Sequence, residues 1–340
     1  MSPFPHRPTM QDVARLAHVS TATVSLILSG GHNGEARISP GTRQRVLAAV
    51  AKLKYVPNQT ARNLRRQRTD RVCLMVSRLG VPYYELLSSA VQDAAEERGY
   101  SLVIAVGGSP ERERHVSEQL QRGLADGVVM VNPYSLQHDD VSRLARAGLA
   151  VVVLSNHLVG RDFDSVQTTE SQACHRAMTY LLDQGHRRIA FLGSFSERLS
   201  HRIRCESYRR ALAEHRIPVA AALIQDDAGS SREKAYCKTC ALLGLPERPT
   251  AVLAASDIAA VSAIWAIRDA GLRVPEDVAV IGVGNIPEGG ITRPPLTTVG
   301  PPASDWSHVT ALLFSRLESS VPLEGRVHLT PWTLILRGSA

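Results

Sequence analysis

Short apolar segments alternate with amphipathic segments of helical spacing between residues 72 and 283 of this chain. The apolar segments have the length of strands, and the amphipathic ones have the length of helices. This alternation predicts parallel sheets covered by helices, and a restart after Leu154 divides the pattern into two similar halves. Ligands of such folds bind at the carboxyl ends of strands, so two facing halves predict a cleft between them. The predicted strands cover 72–76, 101–106, 127–131, 151–154, 188–192, 251–254 and 278–283.

The composition of the 340-residue chain is that of a globular protein, with 44% hydrophobic and 21% charged residues. No run reaches the roughly 18 apolar residues that a membrane helix needs, and residues 1–20 lack the apolar stretch of a secretory signal. We therefore expect a soluble, cytoplasmic protein. The five cysteines are too scattered for a disulfide framework, and Cys237 and Cys240 lack a second pair that would complete a metal site. No metal site and no cofactor is predicted.

The positive charge of the chain is concentrated at its N-terminus. Residues 1–70 contain eleven Lys and Arg against three Asp and Glu, a net charge of +8. The other 270 residues carry 28 basic and 29 acidic side chains, a net charge of −1. A basic block joined to a neutral body is typical of a polyanion-binding module attached to a domain with another task. The alternative is a solvated basic tail, which the helical patterning of residues 9–64 argues against.

Three short helices are predicted in this basic block. Thr9 and Asp12 fit a capping box before the first helix, and Ser20 can cap a second helix after a short turn. Helices joined so tightly cross at a large angle, which is the helix-turn-helix arrangement. Ser39 can cap a third helix with Pro40 at its first position. The expected apolar core of the three helices comprises Val13, Leu16, Ala17, Val24, Ile27, Leu28, Val46, Leu47, Val50 and Leu53.

The second of these helices is the candidate for DNA recognition, because in a helix-turn-helix it enters the major groove. Its hydroxyl groups can contact bases or phosphates, and Ala22 and Leu26 can contact thymine methyl groups. The alternative is an exposed helix face without a partner. No bidentate Arg, Asn or Gln is present there, which leaves room for readout of DNA shape. The DNA contacts predicted in this region are Thr9, Ser20, Thr21, Ala22, Ser25 and Leu26.

A fourth, very short helix is predicted after Pro57. Asn58 can cap it, and residues 59–64 would form about one and a half turns, which is marginal for a helix on its own. Leu64 lies among arginines, a pattern that fits an apolar wedge in the minor groove with phosphate contacts around it. A flexible linker is the alternative. The DNA contacts predicted here are Asn58, Ala61, Arg62, Leu64 and Arg65.

Three motifs of this N-terminal block resemble those of the lactose-repressor (LacI/GalR) family of transcriptional regulators. They are MQDVARLA at 10–17 with VSTATVS at 19–25, SPGTRQRV at 39–46 with KYVPN at 54–58, and the segment from Ala61 to Leu64. The order and spacing of the motifs carry the resemblance, which extends over residues 9–338. In the family, the position of Leu64 holds the leucine that intercalates at the operator centre. This chain departs from the family at two positions: His18 stands where the family usually has Gly, and Leu26 stands where it often has Arg or another polar residue.

The resemblance implies an N-terminal all-α helix-turn-helix domain and an α/β effector domain with two lobes. This effector domain is similar to periplasmic sugar-binding proteins, with parallel sheets, helices on both faces, and three chain crossings between the lobes. We expect the helix-turn-helix domain over 1–57, the hinge helix and linker over 58–69, and the effector-binding and dimerisation domain over 70–340. The expected lobes are 70–168 with 299–325, and 169–298 with 326–338.

The resemblance also implies an effector pocket in the cleft. Tyr83 and Tyr84 match a Pro-aromatic-aromatic segment of the family, and Arg204 matches an arginine that contacts effectors. Two acidic positions that hold sugar hydroxyls in many relatives are here Ser155 and Gly284. The predicted effector-binding residues are Tyr83, Tyr84, Ser155, Arg204, Ser256, Asp257 and Gly284.

The charge expected in this pocket bears on the effector. Paired carboxylates suit ligands with many hydroxyl groups, because each carboxylate accepts two donors. Two such acids are missing here, and His201 and Arg202 accompany Arg204. We therefore expect an electropositive edge and an acidic effector, such as a sugar acid or a phosphorylated metabolite, rather than a neutral hexose.

Three other classes of protein were weighed against a regulator. Gly282 and Gly284 could begin a dinucleotide loop, but a third glycine is absent and Pro287 interrupts the segment, so no enzyme and no catalytic residue is predicted. A small-molecule-binding protein would lack the basic block, and an architectural DNA binder would not need a two-lobed receptor. We expect a homodimeric repressor that binds a pseudo-palindromic operator and a small-molecule effector. Whether the effector acts as inducer or corepressor stays open.

Overall fold

The structure is a computed structural model that describes residues 8–28, 38–56, 68–193, 199–226, 231–303 and 305–340. The chain divides into two compact units, Met1–Arg68 and Thr69–Ala340, each with its own core. No helix within these described ranges is long and apolar enough to cross a bilayer.

The N-terminal unit contains three helices, α1 (Met10–Ala17), α2 (Thr21–Leu28) and α3 (Pro40–Leu53). Thr9 begins α1 with the predicted capping box, and Ser39 caps α3 with Pro40 in the first turn. His18, the first of the three residues between α1 and α2, has a left-handed φ of 53°. The caps at Thr9 and Ser39 determine where α1 and α3 begin, and the left-handed residue His18 ends α1, so that the chain changes direction before α2.

The core of this unit contains eight of the ten side chains that the sequence predicts, four of them buried and four partly buried against it. Its buried side chains are Val13, Ala14, Ala17, Val24, Val46, Ala49 and Tyr55. Leu16 and Leu47, which were expected there, are instead 39% and 48% exposed. Each lies one position from the buried face, because a helix turns by 100° per residue and the face of a short helix is narrow. These two leucines therefore lie on the surface of the unit.

The C-terminal unit contains two six-stranded sheets within the described residues. The first lobe is built from β1 (Arg71–Val76), α4 (Pro82–Glu96), β2 (Ser101–Val106), α5 (Pro110–Gln121), β3 (Gly127–Val131), α6 (His138–Arg146), β4 (Ala150–Leu154), β5 (Asp164–Thr168), α12 (Ser307–Glu318) and β11 (Val327–Thr330). The second is built from α7 (Glu170–Asp183), β6 (Ile189–Leu192), α8 (Leu199–Glu214), a 3-10 turn (Ala221–Leu223), β7 (Ile224–Gln225), α9 (Arg232–Leu243), β8 (Ala251–Ala254), α10 (Asp257–Asp269), β9 (Ala279–Val283), α11 (Pro287–Ile291), β10 (Thr297–Gly300) and β12 (Thr333–Ile335).

The strand order is β2-β1-β3-β4-β5-β11 in the first sheet and β7-β6-β8-β9-β10-β12 in the second. The strands are parallel to their neighbours, except that β12 is antiparallel to β10. Central strands such as β3, β4 and β9 are buried along their length, since helices cover both faces. The predicted fold class, a helix-turn-helix unit followed by a two-lobed α/β unit, is confirmed.

The chain crosses between the lobes three times, as the family resemblance implies. The crossings follow β5, β10 and β11. The expected lobe limits need correction at two places. Residues 299 and 300 belong to the second lobe, because β10 pairs with β9. Residues 327–330 belong to the first lobe, because β11 pairs with β5. Both pairings join residues far apart in the sequence, so no local pattern reports them.

Candidate functional site

The recognition helix of the N-terminal unit presents the predicted face at the surface. Ser20 Oγ accepts a hydrogen bond from the Thr23 N–H at 3.1 Å and so begins α2. Val24 is fully buried and anchors the helix, whereas Thr21, Ala22 and Leu26 are exposed. Ser25 is half-buried. Because Val24 is packed in the core, the side of α2 that carries Thr21, Ala22 and Leu26 faces the solvent.

Exposed basic side chains lie on the other two helices of this unit and just after them. Arg15 is 80% exposed at its side chain, and Arg43, Arg45, Lys52 and Lys54 are also exposed. Arg45 Nε donates to the Ala17 carbonyl at 3.4 Å, which holds α3 against the end of α1. Exposed lysines and arginines on one small unit are the electrostatic footprint of a nucleic-acid-binding surface.

A cavity lies between the two lobes of the C-terminal unit. It encloses about 1230 Å³, including the part open to solvent. Ser155 follows β4, Ser256 follows β8 and Gly284 follows β9, so the carboxyl ends of parallel strands form its walls. All seven residues that the sequence predicts for the effector line this one cavity: Tyr83, Tyr84, Ser155, Arg204, Ser256, Asp257 and Gly284.

Aromatic rings form one wall of the cavity. The Tyr83 ring meets Trp306 edge-on with 4.8 Å between centroids and lies 6.2 Å from Trp332. Tyr84 Oη lies 3.1 Å from Ser77 Oγ. Trp306 and Trp332 lie on the second and third crossings between the lobes. A movement of one lobe against the other would therefore change the shape of this wall.

Arg204 of α8 lies in the cavity as one half of a buried ion pair. Its Nε donates to Glu170 Oε1, and its Nη1 donates to the Ala255 carbonyl. The side chains of Arg204 and Glu170 are only 11% and 8% exposed. Burial lowers the pKa of the guanidinium, but the charge and the hydrogen bond of Glu170, together with contributions from Cys174 and Tyr84, raise it overall, so the arginine stays charged. A buried pair of this kind holds both side chains in one geometry.

Asp257, the first residue of α10, is the second buried carboxylate of the cavity. Thr298 Oγ1 donates to its Oδ1 at 2.5 Å, and the Ile286 N–H donates to its Oδ2 at 2.9 Å. Burial raises the pKa of Asp257 to about 6, although these two hydrogen bonds and the charge of Arg204 act in the opposite direction. A Cβ at Gly282 would lie 2.2 Å from Asp257 Oδ1, so this glycine makes room for the carboxylate.

Two family descriptions match the chain. "Bacterial regulatory proteins, lacI family" matches residues 9–58, and "Periplasmic binding protein-like domain" matches residues 178–340. The ribose operon repressor of Escherichia coli (strain K12) is 32% identical over 336 residues, which cover 98% of this chain and 99% of that protein. The chain belongs to the lacI family of bacterial regulatory proteins.

Other relatives of this lacI-family protein agree over the whole length. Catabolite control protein A of Priestia megaterium is 29% identical over 97% of this chain and 98% of that protein. The lac repressor dimer bound to operator and the anti-inducer ONPF is 25% identical, with a TM-score of 0.76 over 98% of this chain and 99% of that one. The complex of the transcriptional regulator CelR with cellobiose is 29% identical, with a TM-score of 0.66 over 98% and 100%. These relatives are named as regulators, not enzymes.

Some predicted DNA contacts of the lacI-family protein have another role, or lie outside the described residues. The Thr9 hydroxyl donates to Asp12 Oδ2 at 2.7 Å, and its oxygen accepts from the Asp12 N–H at 3.3 Å, so it caps α1. Its contact with DNA stays a prediction. The residues predicted in the fourth helix lie outside the described residues: Asn58, Ala61, Arg62, Leu64 and Arg65.

The sequence predicts an electropositive edge formed by Arg204, Arg202 and His201, and this prediction is wrong for the two arginines. Glu170 neutralises Arg204, and Arg202, 59% exposed, lies 3.8 Å from Glu206 and is not among the lining residues. His201 is buried and does line the cavity. Sequence reasoning missed Glu170 as well as Trp306 and Trp332. Glu170 lies two residues after the end of β5, a position where a carboxyl group could have been sought.

Within the described ranges, no group of three or more His, Cys, Asp or Glu side chains could hold a metal ion. Cys237 and Cys240 are both exposed on α9. The cavity offers hydrogen-bonding groups, aromatic surface and two carboxyl side chains to a ligand.

Proposed function

We propose that this chain is a repressor whose affinity for operator DNA is controlled by a small metabolite bound between the lobes. One observation carries the proposal. A chain with a helix-turn-helix unit also contains a cavity on which all seven predicted effector-binding residues converge, from both lobes. A ligand that touches both lobes favours one angle between them, and this angle can control how two DNA-binding units are presented.

The DNA-binding half of the proposal rests on the face of α2 and on the segment that follows Pro57. Thr21, Ala22, Ser25 and Leu26 would read the major groove, and Ser20 and Thr9 would lie near the backbone. In a homodimer, two such units read a pseudo-palindrome. We further propose that Asn58, Ala61, Arg62, Leu64 and Arg65 act at the central minor groove. The proposed boundaries are 1–57, 58–69 and 70–340.

The effector is proposed to be a hydroxyl-bearing metabolite, either a sugar or a sugar-acid-like compound. Hydroxyl and amide side chains line the cavity beside the aromatic wall, which is typical of small-molecule pockets that orient a polar ligand. Relatives support the sugar class by their names, which refer to a ribose operon and to cellobiose. Catalysis is not part of the proposal, and the protein would act in the cytoplasm, where the DNA is.

A selection of genomic fragments tests the DNA-binding half. The purified full-length chain is mixed with sheared genomic DNA of its source near physiological salt, and the retained fragments are sequenced. Recovery of a short palindrome near a few genes supports the proposal. Sequence-blind retention contradicts it if it persists when a low-molecular-mass extract of the source cells is added to supply a corepressor, because a non-specific architectural binder would behave in this way. A protein that retains no DNA would be a plain small-molecule-binding protein.

Two matched variants sharpen the selection. Thr21→Glu places a negative charge at the exposed start of α2, where a carboxylate stabilises the helix but repels DNA phosphate. It is expected to lose the palindrome. Gln121→Glu makes the same charge change at an exposed position of α5 in the other unit and is expected to retain it.

A further inference from the structure

Two helices of the second lobe begin at the cavity, and each carries a carboxylate at its first position. Helix α7 begins at Glu170 and α10 begins at Asp257, and both residues line the cavity. The N-terminus of a helix favours a nearby negative charge and would otherwise attract the anionic group of a ligand. In this chain, that favourable place is already taken by the protein's own side chains at both helices.

Arg204, one of the two arginines that line the cavity, is likewise already paired. Arg204 uses Nε for Glu170 and Nη1 for the Ala255 carbonyl, with both charged side chains about nine-tenths buried. A ligand carboxylate or phosphate would have to displace Glu170 from the guanidinium. Glu170 would then be a buried carboxylate without its cation, which is strongly unfavourable.

The other charged groups of the cavity point in the same direction. Among its lining residues, Arg78 and Arg204 are cationic, and Glu170, Asp257 and Asp305 are acidic. With the histidines neutral and the acids ionised, these side chains sum to −1, but Asp305 is exposed, and the buried acids are Glu170 and Asp257. An anionic ligand would therefore find no net positive charge in this lining. It would approach two buried carboxyl groups, and repulsion at a low local dielectric is stronger than in water.

We infer that the cavity selects an uncharged, hydroxyl-bearing effector and that Glu170 is the residue that excludes acidic ones. This specificity role rests on the proposed function, since it describes the ligand of the same cavity. It replaces the acidic effector that the sequence favours. Ligand hydroxyl groups can donate to the carboxylates of Glu170 and Asp257, which accept hydrogen bonds through both oxygens. An uncharged ligand of this kind leaves the Arg204–Glu170 pair intact.

The test measures binding of inorganic phosphate to the full-length protein by calorimetry at neutral pH. The wild-type protein is expected to show no phosphate binding that depends on Arg204. Glu170→Gln keeps the size of the side chain and a hydrogen-bond acceptor but removes the charge, so it is expected to bind phosphate at least about tenfold more tightly. Adding Arg204→Gln to this variant is expected to remove the gain.

Glu206→Gln is the matched control, because it removes the same charge from the exposed Arg202–Glu206 pair on the next turn of α8. It should leave phosphate binding at the wild-type level. Phosphate binding by the wild-type protein that Arg204→Gln abolishes would overturn the inference. A Glu170→Gln variant that folds but binds phosphate no more tightly than the wild-type protein would also overturn the inference. If Glu170→Gln does not fold, Glu170→Asn replaces it, with the same expected result.

A second measurement compares D-glucose with D-glucuronate on the wild-type protein. These probes share the pyranose ring and its ring hydroxyl groups, and they differ by the carboxylate at C6. Tighter binding of D-glucuronate would overturn the inference, whereas equal absence of D-glucuronate and phosphate binding supports it. Retention of operator DNA is measured separately on each variant. If Glu170→Gln gains phosphate binding but the protein binds no operator, the role of Glu170 is supported and the proposed regulator function is rejected. If the protein binds a specific operator but Glu170→Gln gains no phosphate binding, the regulator function is supported and the role of Glu170 is rejected.

Discussion

Asp164 and Arg316 form a buried ion pair that joins β5 to α12 within the first lobe. Arg316 Nε donates to Asp164 Oδ2 at 2.8 Å and Nη2 donates to Oδ1 at 3.1 Å. Arg326 donates to the same carboxylate from the segment before β11, with Nη2 2.7 Å from Oδ2. The side chain of Asp164 is fully buried and that of Arg316 is 8% exposed. One carboxylate therefore ties together three segments of the first lobe that are distant in sequence.

Removing this charge should destabilise the C-terminal unit. Asp164→Asn leaves Arg316 buried without its counter-ion, and we expect the free energy of unfolding to fall by about 3–5 kcal/mol. Denaturant unfolding followed by tryptophan fluorescence measures it, because Trp265, Trp306 and Trp332 all lie in this unit. Asp162→Asn, which breaks the more exposed pair with Arg146, is the control, with an expected loss of about 1 kcal/mol or less.

The contribution of Asp164 should also disappear in acid. Burial raises the pKa of this carboxyl, but the hydrogen bonds from Arg326 and Arg316 outweigh burial and hold it below the ordinary value of 3.8. The unfolded state therefore binds its proton first as the pH falls. The stabilisation is complete above pH 3.8 and is lost as the pH falls through the folded-state pKa. The difference between wild type and Asp164→Asn should shrink over that range, and a constant difference would contradict this account.

Asp257 should have the opposite pH dependence. Its pKa is raised from 3.8 to about 6 by burial, so between these values the folded state holds a proton that the unfolded state has released. The free energy of unfolding should fall as the pH rises through this window, by on the order of 3 kcal/mol in total. Asp257→Asn should remove this slope. Parallel pH profiles of the two proteins would show that the carboxyl titrates normally.

His18 should tolerate glycine and reject a β-branched residue. Its φ of 53° is left-handed, a conformation that costs most L-residues about 1–2 kcal/mol and is worst for β-branched ones. We expect His18→Val to lower the stability of the three-helix unit and His18→Gly to leave it equal or higher, as read by hydrogen exchange of residues 8–28 and 38–56. At Arg15, exposed inside α1, the order should reverse, because glycine is the poorer helix former.

Leu64→Ala should weaken operator binding far more than non-specific binding. This prediction rests on the sequence alone, since Leu64 lies outside the described residues. A wedge side chain stabilises only a complex in which the DNA is kinked at a suitable step, so its loss acts on the specific complex. Leu79→Ala, at a 65% exposed leucine of the other unit, serves as the control. Equal losses on operator and random DNA would reject the wedge.

The parts of this structure that sequence predicts are those set by neighbouring residues. The caps at Thr9, Ser20 and Ser39 follow from side chains that reach three residues along the chain. The buried strands of the sheets follow from continuous apolar runs. Strand β5 was missed because it contains Asp164, Ser165, Gln167 and Thr168 rather than an apolar run.

What the sequence could not predict depends on partners far along the chain. Glu170 and Arg204 are 34 residues apart, and no periodicity announces that one neutralises the other. Two missing acids and the group of Arg204, Arg202 and His201 favoured an acidic ligand, and the Arg204–Glu170 pair reverses that expectation. In the same way, β11 joins the first sheet only because it pairs with β5, and its four residues carry no signal of the lobe to which they belong.

The most direct test of control by a cleft ligand is the affinity for the selected palindrome with and without a low-molecular-mass extract of the source cells. Coupling between the sites predicts a change of roughly 5- to 150-fold for the wild-type protein. Ala303→Trp, which fills the mouth of the cavity at an exposed lining residue, should bind the palindrome and show no such change. Control by a ligand in the cleft would be contradicted if the extract changed the affinity of both proteins equally. It would also be contradicted if extracts from all growth conditions left the affinity of the wild-type protein unchanged.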